Sequence, residues 1–96
     1  KIFTMFVDVV MCTFNSNKPY FRNVLYAIKQ NLNINKFIVV DKFSNDGTID
    51  VVQEIFPDAL IIQSDKPLSI ARKIGIQHVE TDIFMFIDSD IEITRD

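Results

Sequence analysis

Near the end of the sequence an apolar run, Phe84 to Ile87, gives way to Asp88-Ser89-Asp90. Two carboxylates one residue apart repel, and each raises the other's pKa unless a cation sits between them. In an extended segment, positions i and i+2 share a face. Asp88 and Asp90 can therefore aim hard oxygen ligands at one place. Such ligands suit Mg2+ or Mn2+, commonly held by one or two carboxylates plus the phosphates of a substrate. The other reading is a pair of solvated loop carboxylates, and Asp-x-Asp alone does not choose between the two.

Further polar residues stand at the ends of other apolar runs: Thr13-Phe14-Asn15, Asp41 and Ser64-Asp65-Lys66, with Arg72 soon after. Each has a bland reading, since loops are polar and Asp often caps a helix. As a set they offer carboxylates, a guanidinium, a hydroxyl and an amide. The chain has only Gly47 and Gly75, so neither a G-x-G-x-x-G turn nor a P-loop can be built. No nucleophile and base pair is assignable from spacing. Lys42, Lys66 and Lys73 read as surface charges, with Lys66 within reach of a bound phosphate. His78 reads as a helix residue. Cys12, the lone cysteine, lies in an apolar run and reads as core.

The elements that must position these residues alternate regularly. "FVDVVMCTF" is a near-continuous apolar strand. Pro19 then opens a helix with Phe21, Val24, Leu25, Ile28 and Leu32 at helical spacing. "KFIVV" is a second strand ending at Asp41, and "KFSNDGT" is a loop. Ile49, Val52 and Ile55/Phe56 predict a short helix stopped by Pro57. "ALIIQ" is a third strand. The spacing predicts a third helix over 68–79, with Leu68, Ala71, Ile74 and His78/Val79 on one side and Gly75 weakening it slightly. "DIFMFI" is the fourth strand. This β-α-β-α-β-α-β order predicts an α/β fold, a three-layer parallel sheet covered on both faces. In such sheets ligands bind beyond the carboxyl ends of the strands, where strand order reverses.

The 96 residues suffice for one small domain, and at 48% hydrophobic they predict a packed core. A net charge of -3 without a basic stripe argues against nucleic acid. No apolar run approaches the roughly 20 residues that span a bilayer. One cysteine builds no disulfide framework, which makes a reducing, cytoplasmic compartment the default expectation. The chain opens on Lys rather than Met and stops just past the acidic pair, which suggests a portion of something longer.

Four blocks resemble the family 2 glycosyltransferases. "VVMCTFNS" is similar to the family's first strand, which ends in a Pro-Thr-Tyr-Asn type of sequence. "VVDKFSNDGT" resembles its Val-Asp-Asp-Gly-Ser-x-Asp-Gly-Thr loop, "LSIARKIGI" its Ala-Arg-Asn-x-Gly helix, and "FIDSD" its Asp-x-Asp metal motif. The blocks fall in family order and span most of the chain. The resemblance implies the N-terminal, Rossmann-like half of a GT-A fold, over residues 1–96 as a single nucleotide-diphosphate-sugar-binding domain. It implies a UDP, GDP or dTDP sugar as donor, Mn2+ or Mg2+ as cofactor, an unidentified acceptor, and transfer with inversion. By position, Thr13 and Asn15 would line the nucleotide pocket, and Asp41 would accept a hydrogen bond from the base. Arg72 would contact the base or diphosphate. Asp88 would approach the ribose or the metal, and Asp90 would ligate the metal. The catalytic base is expected beyond Asp96.

Two departures stand out: Lys42-Phe43 replaces the usual Asp-Gly, and Cys12 replaces the usual Pro. The alternative function is a non-catalytic nucleotide-binding module. Apolar surface left uncovered in such a half predicts self-association. The parent protein is expected in the cytoplasm, with a cytoplasmic membrane face as a possible location.

Overall fold

A computed structural model describes residues 5–89. Seven elements follow one another: β1 (Val7–Thr13), α1 (Phe21–Asn31), β2 (Ile34–Asp41), α2 (Thr48–Ile55), β3 (Leu60–Gln63), α3 (Leu68–Ile76) and β4 (Phe84–Phe86). The strands form one sheet in the order β3-β2-β1-β4, with every neighbouring pair parallel.

That order follows from the handedness of the crossovers. From β1 the chain steps outward through β2 to β3, which places α1 and α2 on one face of the sheet. It then returns across the sheet to β4, so α3 must cross the opposite face, where it packs on β1 and β2. The alternation of side chains along each strand serves both layers. Val7, Val9, Met11, Phe37 and Val39 join Phe21, Leu25, Ile28, Val52 and Ile55 in one buried cluster. Val10, Ile38 and Val40, also buried, supply the other face. Burial on both faces explains the near-continuous apolar strands.

The apolar positions expected on the first helix, Phe21, Val24, Leu25, Ile28 and Leu32, are all buried. α1 and α2 are joined on their outer side by an ion pair between Arg22 and Glu54. The third helix departs from expectation. It ends at Ile76, continuing only as a turn through His78 and Val79, and it buries Ala71 and Gly75 instead of the anticipated large residues. Leu68 is 52% exposed, and Ile70 and Ile76 are exposed too. The cause is a close approach. A Cβ placed on Gly75 would lie 2.4 Å from Val10 Cγ1, so the helix backbone rests directly on β1. Gly75, expected to weaken the helix, is what lets it pack. The fourth strand is also shorter than its apolar run, since only Phe84–Phe86 pair with β1.

Candidate functional site

Strand order reverses between β1 and β4, and the carboxyl ends of the strands border a cavity of about 790 Å³. Thr13, Phe14 and Asn15 reach it from the end of β1, Lys42 follows β2, and Ser64 and Lys66 follow β3. Arg72, one turn into α3, and Asp88, just past β4, complete the wall beside the switch point. Thus Thr13, Asn15, Arg72 and Asp88, separated by up to 75 positions, are brought to one rim. Asp65 does not reach the lining. Asp90 lies outside the described residues.

Arg72 and Asp88 form the charged end. The Arg72 guanidinium Nη2 lies 3.4 Å from Asp88 Oδ1, and its Cζ stands 5.9 Å from the centroid of the Phe86 ring. With side chains 42% and 56% exposed, the pair is screened by solvent and loosely held, so both groups remain free to meet a ligand. Cys12 also lies on the cavity wall. Burial pushes its thiol up, the Arg72 charge opposes this, and the Asp88 charge adds to it. It is therefore a protonated thiol at neutral pH and a poor nucleophile.

Asp41 is not on the cavity surface. It shares the face of Val39, under the α1–α2 layer, and is fully buried. Oδ1 accepts hydrogen bonds from Thr13 Oγ1 at 2.6 Å and from Ser44 Oγ at 2.5 Å, and Oδ2 accepts from the Ser44 backbone N–H at 2.8 Å. The register explains the first bond, because Thr13 and Asp41 are direct partners across β1 and β2. The Asp41 carboxylate thus organises the loop beneath the site.

A chain of such bonds clasps the loops after β1 and β2. The Asn15 N–H donates to Ser44 Oγ at 2.8 Å, and Asn15 Oδ1 accepts from the Asn45 N–H at 2.9 Å. The Ser16 N–H donates to Thr48 Oγ1 at 2.9 Å, and the Asn17 N–H to Asp46 Oδ2 at 3.1 Å. Asn15 sits at φ 45° and Phe43 at φ 50°, in the left-handed region that Asn tolerates and bulky residues rarely adopt. The segment after β4 joins the clasp through a 2.9 Å hydrogen bond between the hydroxyls of Ser16 and Ser89, both buried. Sequence reasoning passed over Ser16, Ser44 and Ser89. Their signal is weak, because serine in a polar loop is ordinary and these contacts join residues far apart in the chain.

At the opposite end of β1 the sequence reading also missed Asp8, which is fully buried. Its Oδ2 accepts from the backbone N–H groups of Glu80 at 2.6 Å and Thr81 at 3.2 Å, and its Oδ1 from Asn35 Nδ2 at 2.9 Å. Burial alone would raise its pKa, but these hydrogen bonds and the nearby Lys36 charge together lower it. The Asp8 N–H in turn donates to Thr81 Oγ1 at 3.0 Å. Asp8 fixes the turn that leads into β4, and so helps to place Asp88.

Hard oxygens at the mouth of a βα sheet fit Mg2+ or Mn2+. No group of three or more His, Cys, Asp or Glu gathers among the described residues. These ions are commonly bound through one or two carboxylates with substrate phosphates supplying further ligands, and Asp88 is the one carboxylate on the cavity wall among the described residues.

A family model described as Glycosyl transferase family 2 matches residues 8–96. The chain belongs to glycosyl transferase family 2. No curated protein matches it. The four-stranded parallel sheet with helices between its strands is the Rossmann-like arrangement of the N-terminal half of a GT-A fold. Membership assigns glycosyl transfer in general, from a nucleotide-sugar donor to an acceptor. No helix among the described residues is long and apolar enough to cross a membrane.

Proposed function

We propose that this domain binds the nucleotide-diphosphate part of a UDP, GDP or dTDP sugar together with Mn2+ or Mg2+, for transfer of the sugar with inversion. The observation that carries this reading is the convergence of Arg72 and Asp88 with Thr13 and Asn15 on one cavity at the switch point of the sheet. Arg72 supplies a charge-assisted contact to phosphate oxygens. Thr13 and Asn15 shape the nucleoside side of the cavity, and Asp41 holds Thr13 and the Ser44 loop in place beneath them. Asp88 and Asp90 are the proposed metal ligands. A divalent ion bound there supplies positive charge against the departing diphosphate. The general base belongs to a region beyond Asp96, and residues 1–96 act as one donor-binding domain of a longer, cytoplasmic enzyme.

The test is a double titration. Two carboxylate ligands leave most of an octahedral shell to water and phosphate, so metal without nucleotide binds weakly. Mn2+ and nucleotide then tighten each other by the same factor, because coupling is reciprocal. Asp90→Asn removes the charge and abolishes the coupling, while Asp65→Asn, off the cavity, leaves it intact. Equal nucleotide affinity with and without Mn2+ in the wild type overturns the metal assignment. Donor-hydrolysis and transfer assays with the same protein separate an enzyme from a non-catalytic binding module.

A further inference from the structure

Past β4 the backbone is anchored on either side of a loose side chain. The Ile87 N–H donates to Val10 O at 3.1 Å, which extends the pairing with β1. The Ser89 hydroxyl lies 2.9 Å from that of Ser16, and both serines are buried. Asp88 stands between these two points with its side chain 56% exposed. Its hydrogen-bond partner among the described residues is Arg72, at 3.4 Å. The backbone that carries the carboxylate is therefore held before and after it, while the carboxylate itself is free to turn toward a ligand.

The far end of the second anchor is firm. Ser16 Oγ also accepts from the Phe14 N–H at 3.2 Å, and the Ser16 N–H donates to Thr48 Oγ1 at 2.9 Å. Thr48 is fully buried and opens α2. Phe14, Asn15 and Ser16 line the cavity from the end of β1, and Ser89 lines it next to Asp88. The hydroxyl pair thus spans the switch point and ties the loop after β1 to the segment after β4. The segment's contact with Arg72 is the weaker tie. A phosphate that engages the guanidinium competes with Asp88 for it, and an exposed pair of this kind has little energy to resist. The hydroxyl bond remains, because breaking it would strip a buried polar group of its partner.

We propose that Ser16 and Ser89 are positioning residues of this site. Their mutual hydrogen bond holds the Asp88 backbone against the loop after β1, so that a divalent ion on Asp88 and a nucleotide on that loop meet in register. Neither hydroxyl has to touch the ligand. The inference rests on the proposed function and adds to it the contact that sets the coupling between metal and nucleotide. Without either hydroxyl, the segment must be ordered as the ion binds, at a cost in affinity.

Calorimetry tests this by measuring UDP, GDP and dTDP affinities with and without Mn2+. The proteins are wild type, Ser16→Ala, Ser89→Ala, the double variant and Ile28→Val. Ile28 is buried in the core and off the cavity wall, so its truncation controls for lost stability. The quantity read is the factor by which Mn2+ tightens the nucleotide. Ser16→Ala and Ser89→Ala should each lower it about fivefold, the scale of one neutral hydrogen bond. The double variant should lose no more than either single one, because each removes the same bond. Ile28→Val should leave the factor as in wild type, and Ser89→Ala should bind nucleotide without Mn2+ within about twofold of wild type, since only the metal segment is released. With no metal present, amide hydrogen exchange at Ile87 should speed up in Ser89→Ala. An unchanged factor or unchanged exchange in Ser89→Ala would overturn the inference. So would losses that multiply in the double variant, or a comparable loss in Ile28→Val, which would assign the effect to stability alone. Each of these leaves metal and nucleotide binding standing. A wild type whose nucleotide affinity ignores Mn2+ removes the metal assignment and this inference together.

Discussion

Protonating Asp8 withdraws one carboxylate from two backbone N–H groups, those of Glu80 and Thr81. Its pKa is lowered in the folded state, so its contribution to stability is fully present above the ordinary carboxyl value of about 3.9. The contribution is lost as pH falls through the folded value. The charged group acting on it is the Lys36 ammonium, which favours the charged form and itself pairs with the Glu80 carboxylate at 3.1 Å. Asp46 acts in the same direction. Although burial would raise its pKa, bonds from Thr48 and the Asn17 N–H lower it. Wild type should therefore hold its stability from pH 7 to about pH 4 and lose it below. Asp8→Asn should cost about 1–3 kcal/mol at pH 7, the usual penalty for poorly paired buried polar groups, and flatten the acid limb. Urea melts between pH 2.5 and 7 read both effects. An unchanged acid limb in Asp8→Asn would assign the acid sensitivity to other carboxylates.

Among the elements, α3 shows where a periodic pattern misleads. Leu68, Ala71, Ile74 and His78 recur at helical spacing, yet a helix laid this close to β1 must bury its smallest residues. The contact between Gly75 and Val10 joins positions far apart in the chain, and local spacing carries no record of it. α1 was legible because its buried face is large and its neighbours stand at ordinary distance. The same contrast holds at the site. Thr13, Asn15, Arg72 and Asp88 follow from the rule that ligands sit at strand ends, whereas the clasp of Ser16, Ser44 and Ser89 exists only once the loops are folded together. Burial of Asp41 was equally hidden, since it depends on which face of β2 the last residue takes. Gly75→Ala should destabilise by about 1–3 kcal/mol through overpacking. Val10→Ala removes the obstructing methyl, so the double variant should be more stable than the sum of the two single effects implies. Strict additivity in denaturant melts would show that α3 has room to shift.

At the scale of the whole molecule, one sheet is asked to serve two ends. Its carboxyl end carries the candidate donor site, and its β4 side leaves apolar surface in water. Phe6 is 65% exposed and Ile83 53%. β4 is the terminal strand on this side among the described residues, and a strand edge bordered by large apolar groups is a template for association. The chain should therefore self-associate as its concentration rises, even though its net charge of -3 opposes close approach. Raising salt screens that repulsion and should strengthen association rather than weaken it. Ile83→Lys places a charge just before β4, at the end of the strand opposite Asp88 and off the cavity wall, and should shift the protein toward monomer without changing nucleotide affinity. Sedimentation velocity across a concentration series, for both proteins at low and high salt, measures this directly. A wild type that stays monomeric throughout would mean that three residues of β4 are too short an edge to recruit a partner, whatever apolar surface lies beside them.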